Sequence, residues 1–505
     1  GWDTWREETL ARQKAMGLMP DHVELPPRNE GVKAWDECSD DEKRLFCRYQ
    51  EAFAAMLDHT DAQIGRLMAH LESIGVYDNT IFILVSDNGA SQEGGPNGTI
   101  NEFTFFNFAF QTVEESIERI DSIGTKDAHN NYPWGWAMAG NTPLKRYKQN
   151  THDGGIRDPL IISWRNGISA SGKIRHQFHH ATDIVPTLLE VLDIPLPETI
   201  KGVAQQPIEG VSMAYSFEDG TAATRKEVQY FEMMGHRGIW KDGWKAVTFH
   251  PSDSGGKYEK DKWELYHVAE DIVENNDLAA ENPEKLQELI DAWWVEAEKY
   301  NVLPLDDRMM TRMSGKNPVP TVRTPTRLYT YYPSKTLIPE NLAVNVRRRS
   351  HVISAEVDVG ANANGVILSL GGAHGGWAFF MLDGKLAYTE NYLHLKEFNL
   401  LSDGLVPAGK HTLHFVFQRQ KPHNGTGYFF VGDQQIGQGF IPQRTPNVYS
   451  ISEGLMCGYS GFTAVSTRYQ SPFDFSGTLH KVVVNVEKTS IDDFEAQMKI
   501  ALATQ

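Results

Sequence analysis

Residues 81–89 of the chain, Ile-Phe-Ile-Leu-Val-Ser-Asp-Asn-Gly, determine how the first half of the sequence is interpreted. The run 81–85 is apolar at every position, which is typical of a strand buried on both faces in a parallel sheet. Ligands of open α/β sheets bind beyond the carboxyl ends of strands. Because Gly89 lets the chain turn, Asp87 and Asn88 are able to direct two oxygens at one hard cation, Ca²⁺ or Mg²⁺. The alternative is an ordinary strand-ending turn, where Asp-Asn-Gly is common.

Helical and strand patterns alternate around this segment. Apolar residues at three- and four-residue spacing predict one long amphipathic helix over 40–75. Residues 156–164 read as a further strand, and residues 183–192 as a helix. Residues 100–130, dense in Phe and then helical in pattern, form an insertion. The alternation predicts an α/β layered domain with a mostly parallel sheet.

The pattern changes near residue 305. Residues 306–344 contain five prolines among basic and polar residues and are predicted to be a Pro-rich connector. Over residues 345–500, short alternating strands separated by turn residues predict an all-β sandwich of the jelly-roll or lectin-like kind. The predicted organisation is therefore an α/β domain over 1–305, the connector and the sandwich.

Composition excludes several classes of partner and site. The chain has 48 Lys plus Arg against 66 Asp plus Glu, a net charge of −18. A surface this acidic argues against nucleic acid or an anionic membrane as a partner. No apolar run reaches about 18 residues, so no membrane span is predicted. Cys38, Cys47 and Cys457 predict neither a disulfide framework nor a CxxC metal site.

A cluster of cations stands out in this acidic chain, in the segment TPLKRYKQNTHDGGIRDP over residues 142–159. Its basic residues are Lys145, Arg146, Lys148, His152 and Arg157. Gly154 and Gly155 permit a close approach of the backbone to a ligand. Such a segment is able to bind an oxyanion and to stabilise charge that develops on a leaving oxygen. The alternative is a solvated basic loop before a strand.

Five segments in this order together resemble the arylsulfatases of the alkaline-phosphatase-like superfamily. They are the strand ending in SDNG, the motif Lys-x5-Gly-Gly-Ile-Arg that begins at Lys148, and the stretches TDIVPTLLEVL (182–192), GIWKDGWKAV (238–247) and WELYHVAEDIVENNDLA (263–279). The resemblance covers residues 1 to about 300. It implies that 1–305 is the C-terminal portion of a sulfatase catalytic domain, and the β-rich tail resembles that of a long-chain subgroup.

The resemblance implies roles for individual residues. Asp87 and Asn88 match the family's last two ligands of a single Ca²⁺, or Mg²⁺, ion. Lys148 matches the family lysine that contacts both the sulfate and the leaving oxygen. Asp158 stands where the family usually has Val. Four further residues are expected beside the site, as substrate contacts or as supporting groups: Lys145, His152, Arg157 and His236.

The family's nucleophile does not occur in this sequence. It is a formylglycine made from Cys or Ser in the motif Cys/Ser-x-Pro-x-Arg, which no segment of the chain matches. The family's paired aspartates and acid histidine are not matched either. The resemblance thus implies an N-terminally truncated chain whose formylglycine lies upstream. Alone, the chain is expected to bind the metal weakly and to be inactive.

The intact protein is expected to act on a small sulfate ester as a sulfuric ester hydrolase. One alternative keeps the superfamily and changes the substrate to a phosphonate or phosphate ester. The neutral amide of Asn88 favours the sulfatase, because an amide oxygen is a poor ligand for zinc and a good one for calcium. A second alternative is a non-catalytic remnant in which the sandwich binds glycans.

Overall fold

The computed structural model describes residues 1–168, 172–252, 254–308, 327–450 and 452–486. The chain divides into two compact units. The first unit comprises residues 1–92 and 132–310, and the second comprises residues 93–131 and 311–505.

The regular elements of the described residues are as follows. The helices are α1 (Trp2–Ala15), α2 (Asp40–Ser73), α3 (Phe103–Phe106), α4 (Val113–Ile117), α5 (Trp134–Gly140), α6 (Asp153–Ile156), α7 (Ile184–Val191), α8 (Tyr215–Glu218) and α9 (Pro283–Lys299). The strands of the first unit are β1 (Phe82–Val85), β2 (Leu160–Ser163), β3 (Thr199–Ile200), β4 (Val203–Ala204), β5 (Val228–Met233), β6 (His236–Lys241), β7 (Trp244–Thr248) and β8 (Trp263–Tyr266). The strands of the second unit are β9 (Leu328–Tyr331), β10 (Ser334–Ile338), β11 (His351–Val359), β12 (Gly365–Gly372), β13 (Gly375–Leu382), β14 (Lys385–Tyr392), β15 (Lys396–Leu401), β16 (Gly409–Lys421), β17 (Asn424–Val431), β18 (Gln434–Ile441), β19 (Leu455–Cys457) and β20 (Thr478–Val486).

The long helix α2 confirms the helix predicted over 40–75. Ser39 caps it: its hydroxyl accepts a hydrogen bond from the backbone N–H of Glu42, whose carboxylate accepts one from Ser39 N–H at 2.8 Å. This reciprocal pair satisfies two donors that the first turn otherwise leaves unbonded. Among the described helices, none combines the length and the apolar character that a bilayer crossing requires.

Strands β1 and β2 form a two-stranded sheet in which they run antiparallel, with Val85 opposite Leu160. The predicted parallel strand, buried on both faces, is therefore wrong for the described residues, since Leu84 and Val85 are 52% and 45% exposed. An all-apolar run predicts a strand. Whether that strand pairs parallel or antiparallel, and whether both its faces are buried, depends on which other segments of the chain pack against it. The described residues contain a mixture of helices and sheets followed by an all-β region. This confirms the predicted α/β domain followed by an all-β domain.

The first unit also contains a four-stranded antiparallel sheet in the order β5-β6-β7-β8. Helix α9 packs on it through Leu289 and Trp293, which share a buried core with Ile239 and Ala246 of the sheet. The sheet matters for the site because its strands supply buried charged side chains to the segment around Lys148.

Two six-stranded sheets form the predicted β-sandwich of the second unit. Their orders are β10-β19-β12-β13-β14-β15 and β18-β17-β16-β11-β20-β9. One buried cluster contains residues of both sheets, among them Phe379 and Tyr388 of the first and Ile353 and Phe415 of the second. Burial alternates along β11, β16 and β20, which turns one face of each toward the other sheet, whereas β12, β13 and β14 are buried along almost their whole length.

The predicted connector needs correction. Strand β9 pairs with β20 and β10 with β19, so residues 328–338 belong to the sandwich sheets. Pro333 and Pro339 immediately flank β10, and strand ends tolerate proline because no ladder N–H is needed there. Pro318, Pro320 and Pro325 lie outside the described residues.

The insertion also groups differently from the prediction, because residues 93–131 cluster with the second unit and not with the rest of 1–305. The side-chain amide of Asn101 donates to the carbonyl oxygens of His374 at 2.9 Å and Leu393 at 2.8 Å. Both acceptors are sandwich residues, so hydrogen bonds between segments distant in sequence hold the insertion to this unit.

Candidate active site

The loop after β1 presents two oxygen ligands of the predicted cation site. Asp87 is exposed and Asn88 is half-buried. The Asn88 amide nitrogen donates to the carbonyl oxygen of Gly89 at 2.9 Å, which leaves its Oδ1 as the atom available to a cation. A carboxylate and an amide oxygen fit Ca²⁺ or Mg²⁺ in kind, but supply only part of a coordination shell. Within the described residues, no group of three or more His, Cys, Asp or Glu side chains is arranged to hold a metal ion.

The structure brings this loop against the segment that carries Lys148. The backbone N–H of Lys148 donates to the carbonyl oxygen of Ala90 at 3.1 Å, and Gly89 N–H donates to Gly155 O at 3.2 Å. The side chain of Gln92 adds a bond to the carbonyl oxygen of Lys148 at 3.0 Å. The two candidate segments, about 60 residues apart in the sequence, are thus neighbours.

A second acidic group, Asp158, lies near the cation ligands Asp87 and Asn88. Asp158 precedes β2, and the pairing of Val85 with Leu160 places it close to Asp87 at the same end of the two strands. Burial raises the pKa of Asp158 to about 6, and the negative charge of Asp87 adds to the shift. The family's usual Val at this position has no charge, so Asp158 makes this end of the sheet more acidic.

His152 and Lys145 converge on one carboxylate beneath the segment. His152 is buried, with its Nε2 3.0 Å from Glu264, and burial lowers its pKa. Lys145 donates to the hydroxyl of Tyr266 at 3.0 Å and lies 3.6 Å from Glu264. Burial alone would raise the pKa of Glu264, but the hydrogen bonds from His152 and Tyr266 and the charge of Lys145 hold it well below its usual value. These side chains support the segment from inside the fold.

Arg157, which is exposed, bonds to a second network whose other members are buried. Its Nε donates to Asp153 at 2.7 Å, and Asp153 also accepts from Lys245 at 2.5 Å. Lys245 bonds in turn to Glu274 at 2.7 Å, and Glu274 accepts the backbone N–H of Asp153 at 3.0 Å. Burial opposes ionisation of Asp153, but the charges of Arg157 and Lys245 lower its pKa to about 2. The network fixes the start of α6, which contains Gly154 and Gly155.

His236 lies at the start of β6 and is buried. Its Nδ1 accepts the backbone N–H of His250 at 2.9 Å, so in the neutral imidazole the proton is on Nε2. Burial, together with the positive charge of Arg146, lowers the pKa of His236 to about 4. The guanidinium of Arg146 stacks over Phe249, 4.4 Å from the ring centroid, and the His236 ring packs against Phe249 as well.

Sequence reasoning missed four polar residues that support this region: Asn141, Lys245, Glu264 and Glu274. The signal for two of them is a charge inside an apolar strand pattern, as in Trp244-Lys245-Ala246-Val247 and Trp263-Glu264-Leu265-Tyr266. A lysine or glutamate at such a position is buried only when it is paired. Asn141 carries no comparable local signal.

Two family models match the part of the chain that contains the candidate site. The family model described as sulfatase matches residues 18–194. A second model, described as the C-terminal part of N-sulphoglucosamine sulphohydrolase, matches residues 145–299. The matched residues therefore include both segments of the candidate site and the four-stranded sheet beneath them.

Relatives with the same family name come from several organisms. An uncharacterized sulfatase of Schizosaccharomyces pombe is 33% identical over 312 residues, covering 61% of this chain and 54% of that protein. An arylsulfatase of Klebsiella aerogenes is 29% identical over 212 residues, 41% of this chain and 43% of that protein. A sulfatase of Formosa agariphila is 24% identical over 277 residues, 52% of this chain and 41% of that protein. The chain spans about half the length of these relatives, and the matches together show that it belongs to the sulfatase family.

Proposed function

We propose that this protein hydrolyses sulfate esters, and that its substrates are aryl sulfates or similar small esters. The hydrogen bond from Lys148 N–H to Ala90 O carries the proposal. It joins the lysine segment, residues 142–159, to the cation loop, the residues 86–90 that follow β1. A sulfate ester needs positive charge on two sides, at its non-bridging oxygens and at the oxygen that leaves. Membership of the sulfatase family supports the same reaction.

Asp87 and Asn88 are the proposed protein ligands of a Ca²⁺ ion. When bound, that ion would supply positive charge beside the sulfate oxygens. The hydrogen bond between the Asn88 amide nitrogen and Gly89 O orients the side chain so that Oδ1 is free for a cation. The remaining ligands of a six- to eight-coordinate ion must come from other groups.

Lys148 is the proposed sulfate-binding residue of this chain. An ammonium group beside the ester oxygen stabilises the negative charge that develops there as the bond to sulfur breaks. The buried bond of Asp153 with Lys245 and the half-buried bond of His152 with Glu264 hold the segment that carries it. Such support limits the movement of Lys148 relative to the cation loop.

The nucleophile is proposed to be a formylglycine supplied by a part of the protein outside these 505 residues. The sequence contains no Cys/Ser-x-Pro-x-Arg motif, so the proposal requires this motif in the product of the complete gene. The residues described above would then form one wall of the site and the formylglycine segment the other.

The test uses the product of the complete gene. Rates are measured on a chromogenic aryl sulfate and on a matched phosphonate ester, with and without Ca²⁺, and mass spectrometry determines whether formylglycine is present. The proposal expects formylglycine and a clear preference for the sulfate. Preference for the phosphonate would favour the other hydrolase, and lack of turnover together with an unmodified chain would favour a non-catalytic protein.

A further inference from the structure

We propose that Asn141 is a positioning residue, which sets the distance between the cation loop at Asp87-Asn88 and the segment that carries Lys148. The inference rests on the proposed function, because it assigns Asn141 to the same site. Asn141 touches neither of the two candidate cation ligands through its side chain. It acts on backbone groups next to them.

The side-chain amide of Asn141 uses both of its ends to join the two segments. Its Oδ1 accepts the backbone N–H of Ala90 at 2.9 Å, two residues after Asn88. Its Nδ2 donates to the carbonyl oxygens of Arg146 at 3.0 Å and Gly154 at 2.7 Å. One side chain therefore contacts the cation loop on one side and both ends of the lysine segment on the other.

The backbone of Asn141 is itself fixed. It follows helix α5 directly, and its N–H donates to the carbonyl oxygen of Ala137 at 3.2 Å. The indole N–H of Trp136 in α5 donates to Phe46 O of α2 at 2.9 Å and is buried. Asn141 thus extends from a helix that is anchored to the longest helix of the unit, so its three bonds are made from a rigid base.

The position favours asparagine over its closest substitutes. Aspartate keeps the acceptor for Ala90 N–H, but it places a carboxylate oxygen where Nδ2 now lies, 2.7 Å from the carbonyl oxygen of Gly154. Two acceptors at this distance repel each other, and neither has a proton to share. Alanine removes all three bonds and leaves the two carbonyl oxygens without this donor.

When the bonds of Asn141 are lost, the cation loop and the Lys148 ammonium are expected to lose their alignment with each other. A cation at Asp87-Asn88 and the ammonium of Lys148 must act on the same sulfate group, so their separation has to match its size. A misplacement of about 1 Å at a catalytic group costs roughly 10²-fold in rate. The loss is expected mainly in kcat, because alignment matters most for interactions made in the transition state.

The first experiment uses the product of the complete gene and compares Asn141→Ala and Asn141→Asp with a matched control, Thr187→Val. Thr187 makes two buried hydrogen bonds in the same unit, to Asp183 O at 2.6 Å and from Met213 N–H at 2.9 Å, and neither involves the site. We expect kcat to fall by about 10²-fold in Asn141→Asp and by at least about tenfold in Asn141→Ala, with KM changed less than about threefold. The control should lose a similar amount of thermal stability and keep its kcat.

Three kinetic results would overturn the inference. The first is a kcat within twofold of wild type in Asn141→Ala, and the second is an equal kcat loss in the Thr187→Val control at the same loss of stability. The third is an Asn141→Asp variant as active as wild type, because the donor role would then be unnecessary.

A second experiment separates this inference from the proposed function. Hydrogen exchange is measured on the 505-residue chain, without substrate or metal, for the same variants. We expect the amides of Ala90 and Lys148 to exchange about tenfold faster in Asn141→Ala and unchanged in Thr187→Val. If the wild-type protein fails to cleave sulfate esters but these amides lose protection, the proposed function is wrong and the positioning inference stands. Unchanged protection refutes the inference whatever the activity.

Discussion

Gly89 and Gly154 approach so closely that a β-carbon on Gly89 would lie 1.7 Å from the carbonyl oxygen of Gly154. The obstacle is backbone and not the end of a flexible side chain. The sequence predicts a turn at Gly89 and a close backbone approach at Gly154. Their contact brings the cation loop and the lysine segment together.

Gly89→Ala is expected to destabilise the first unit by about 1–3 kcal/mol, because the added methyl group forces the two segments apart. Gly65→Ala serves as the matched control. Gly65 lies inside α2 with nothing within 4 Å of its β-carbon position, so alanine there should stabilise by up to about 1 kcal/mol. Urea unfolding of the three proteins measures both effects, and a stable Gly89→Ala protein would contradict the close contact.

Lys245→Met is expected to destabilise the chain by about 3–5 kcal/mol, because it leaves the buried carboxylates of Asp153 and Glu274 without their shared cation. Lys241→Met removes a lysine that pairs with Glu288 on the surface, and it should cost less than about 1 kcal/mol. Denaturant unfolding at neutral pH compares the two. Equal losses would mean that the buried network does not stabilise the segment.

His351 makes the stability of the sandwich depend on pH. It is fully buried, and burial together with the charge of Arg444 lowers its pKa to about 3. The unfolded chain, with a histidine pKa near 6.5, binds the proton first as pH falls, so stability present above about pH 6.5 is lost towards pH 3. At pH 4 the loss from this residue is about 3 kcal/mol.

The expected result is a smaller difference between unfolding free energies at pH 7 and pH 4 in His351→Leu than in wild type. Substitution of His480, which is exposed on β20, should leave that difference unchanged. A His351→Leu protein with the full wild-type pH dependence would rule out His351 as its source.

The 505-residue chain by itself is expected to bind Ca²⁺ only weakly and not to hydrolyse an aryl sulfate. Asp87 and Asn88 offer two of the six to eight oxygen ligands that the ion prefers. Titration calorimetry should show no stoichiometric binding at millimolar Ca²⁺, and Asp87→Asn should abolish any residual heat. Stoichiometric binding at or below this concentration, or a burst of product, would contradict the expectation.

Lys148→Ala in the product of the complete gene is expected to lower kcat by about 10²–10³-fold, because the charge on the leaving oxygen loses its stabilising cation. Lys148→Arg should retain part of the rate, since the charge is kept and only its position changes. Lys126, which is exposed and pairs with Asp127, is the control position for loss of a lysine. Steady-state kinetics on a chromogenic sulfate provide the measurement, and an unaffected Lys148→Ala enzyme would remove Lys148 from the site.

Local periodicity was sufficient to predict much of the fold. The three- and four-residue spacing in α2 and the alternation in β11, β16 and β20 each depend on which face of one element is buried. Residue type alone also predicts the polar segments at the ends of elements, Asp87-Asn88 and the segment around Lys148. In each case the pattern extends over a few neighbouring residues.

Other features escaped prediction because they depend on residues far apart in the chain. The antiparallel pairing of β1 with β2 and the inclusion of β10 in a sandwich sheet are set by the return path of the chain. Lys245 meets Asp153 across 92 positions, and Asn141 meets Ala90 across 51. No local pattern encodes such a meeting.

The sequence by itself therefore determined α2, the β-rich character of the second unit, the family resemblance and the chemical character of the two candidate segments, because these depend on residue type and short-range spacing. Only the tertiary structure decided that the two segments touch, that Gly89 must be glycine and that Asn141 joins them. These properties depend on the close packing of backbone groups that are distant in the chain, where tenths of an ångström determine whether a hydrogen bond or a clash results.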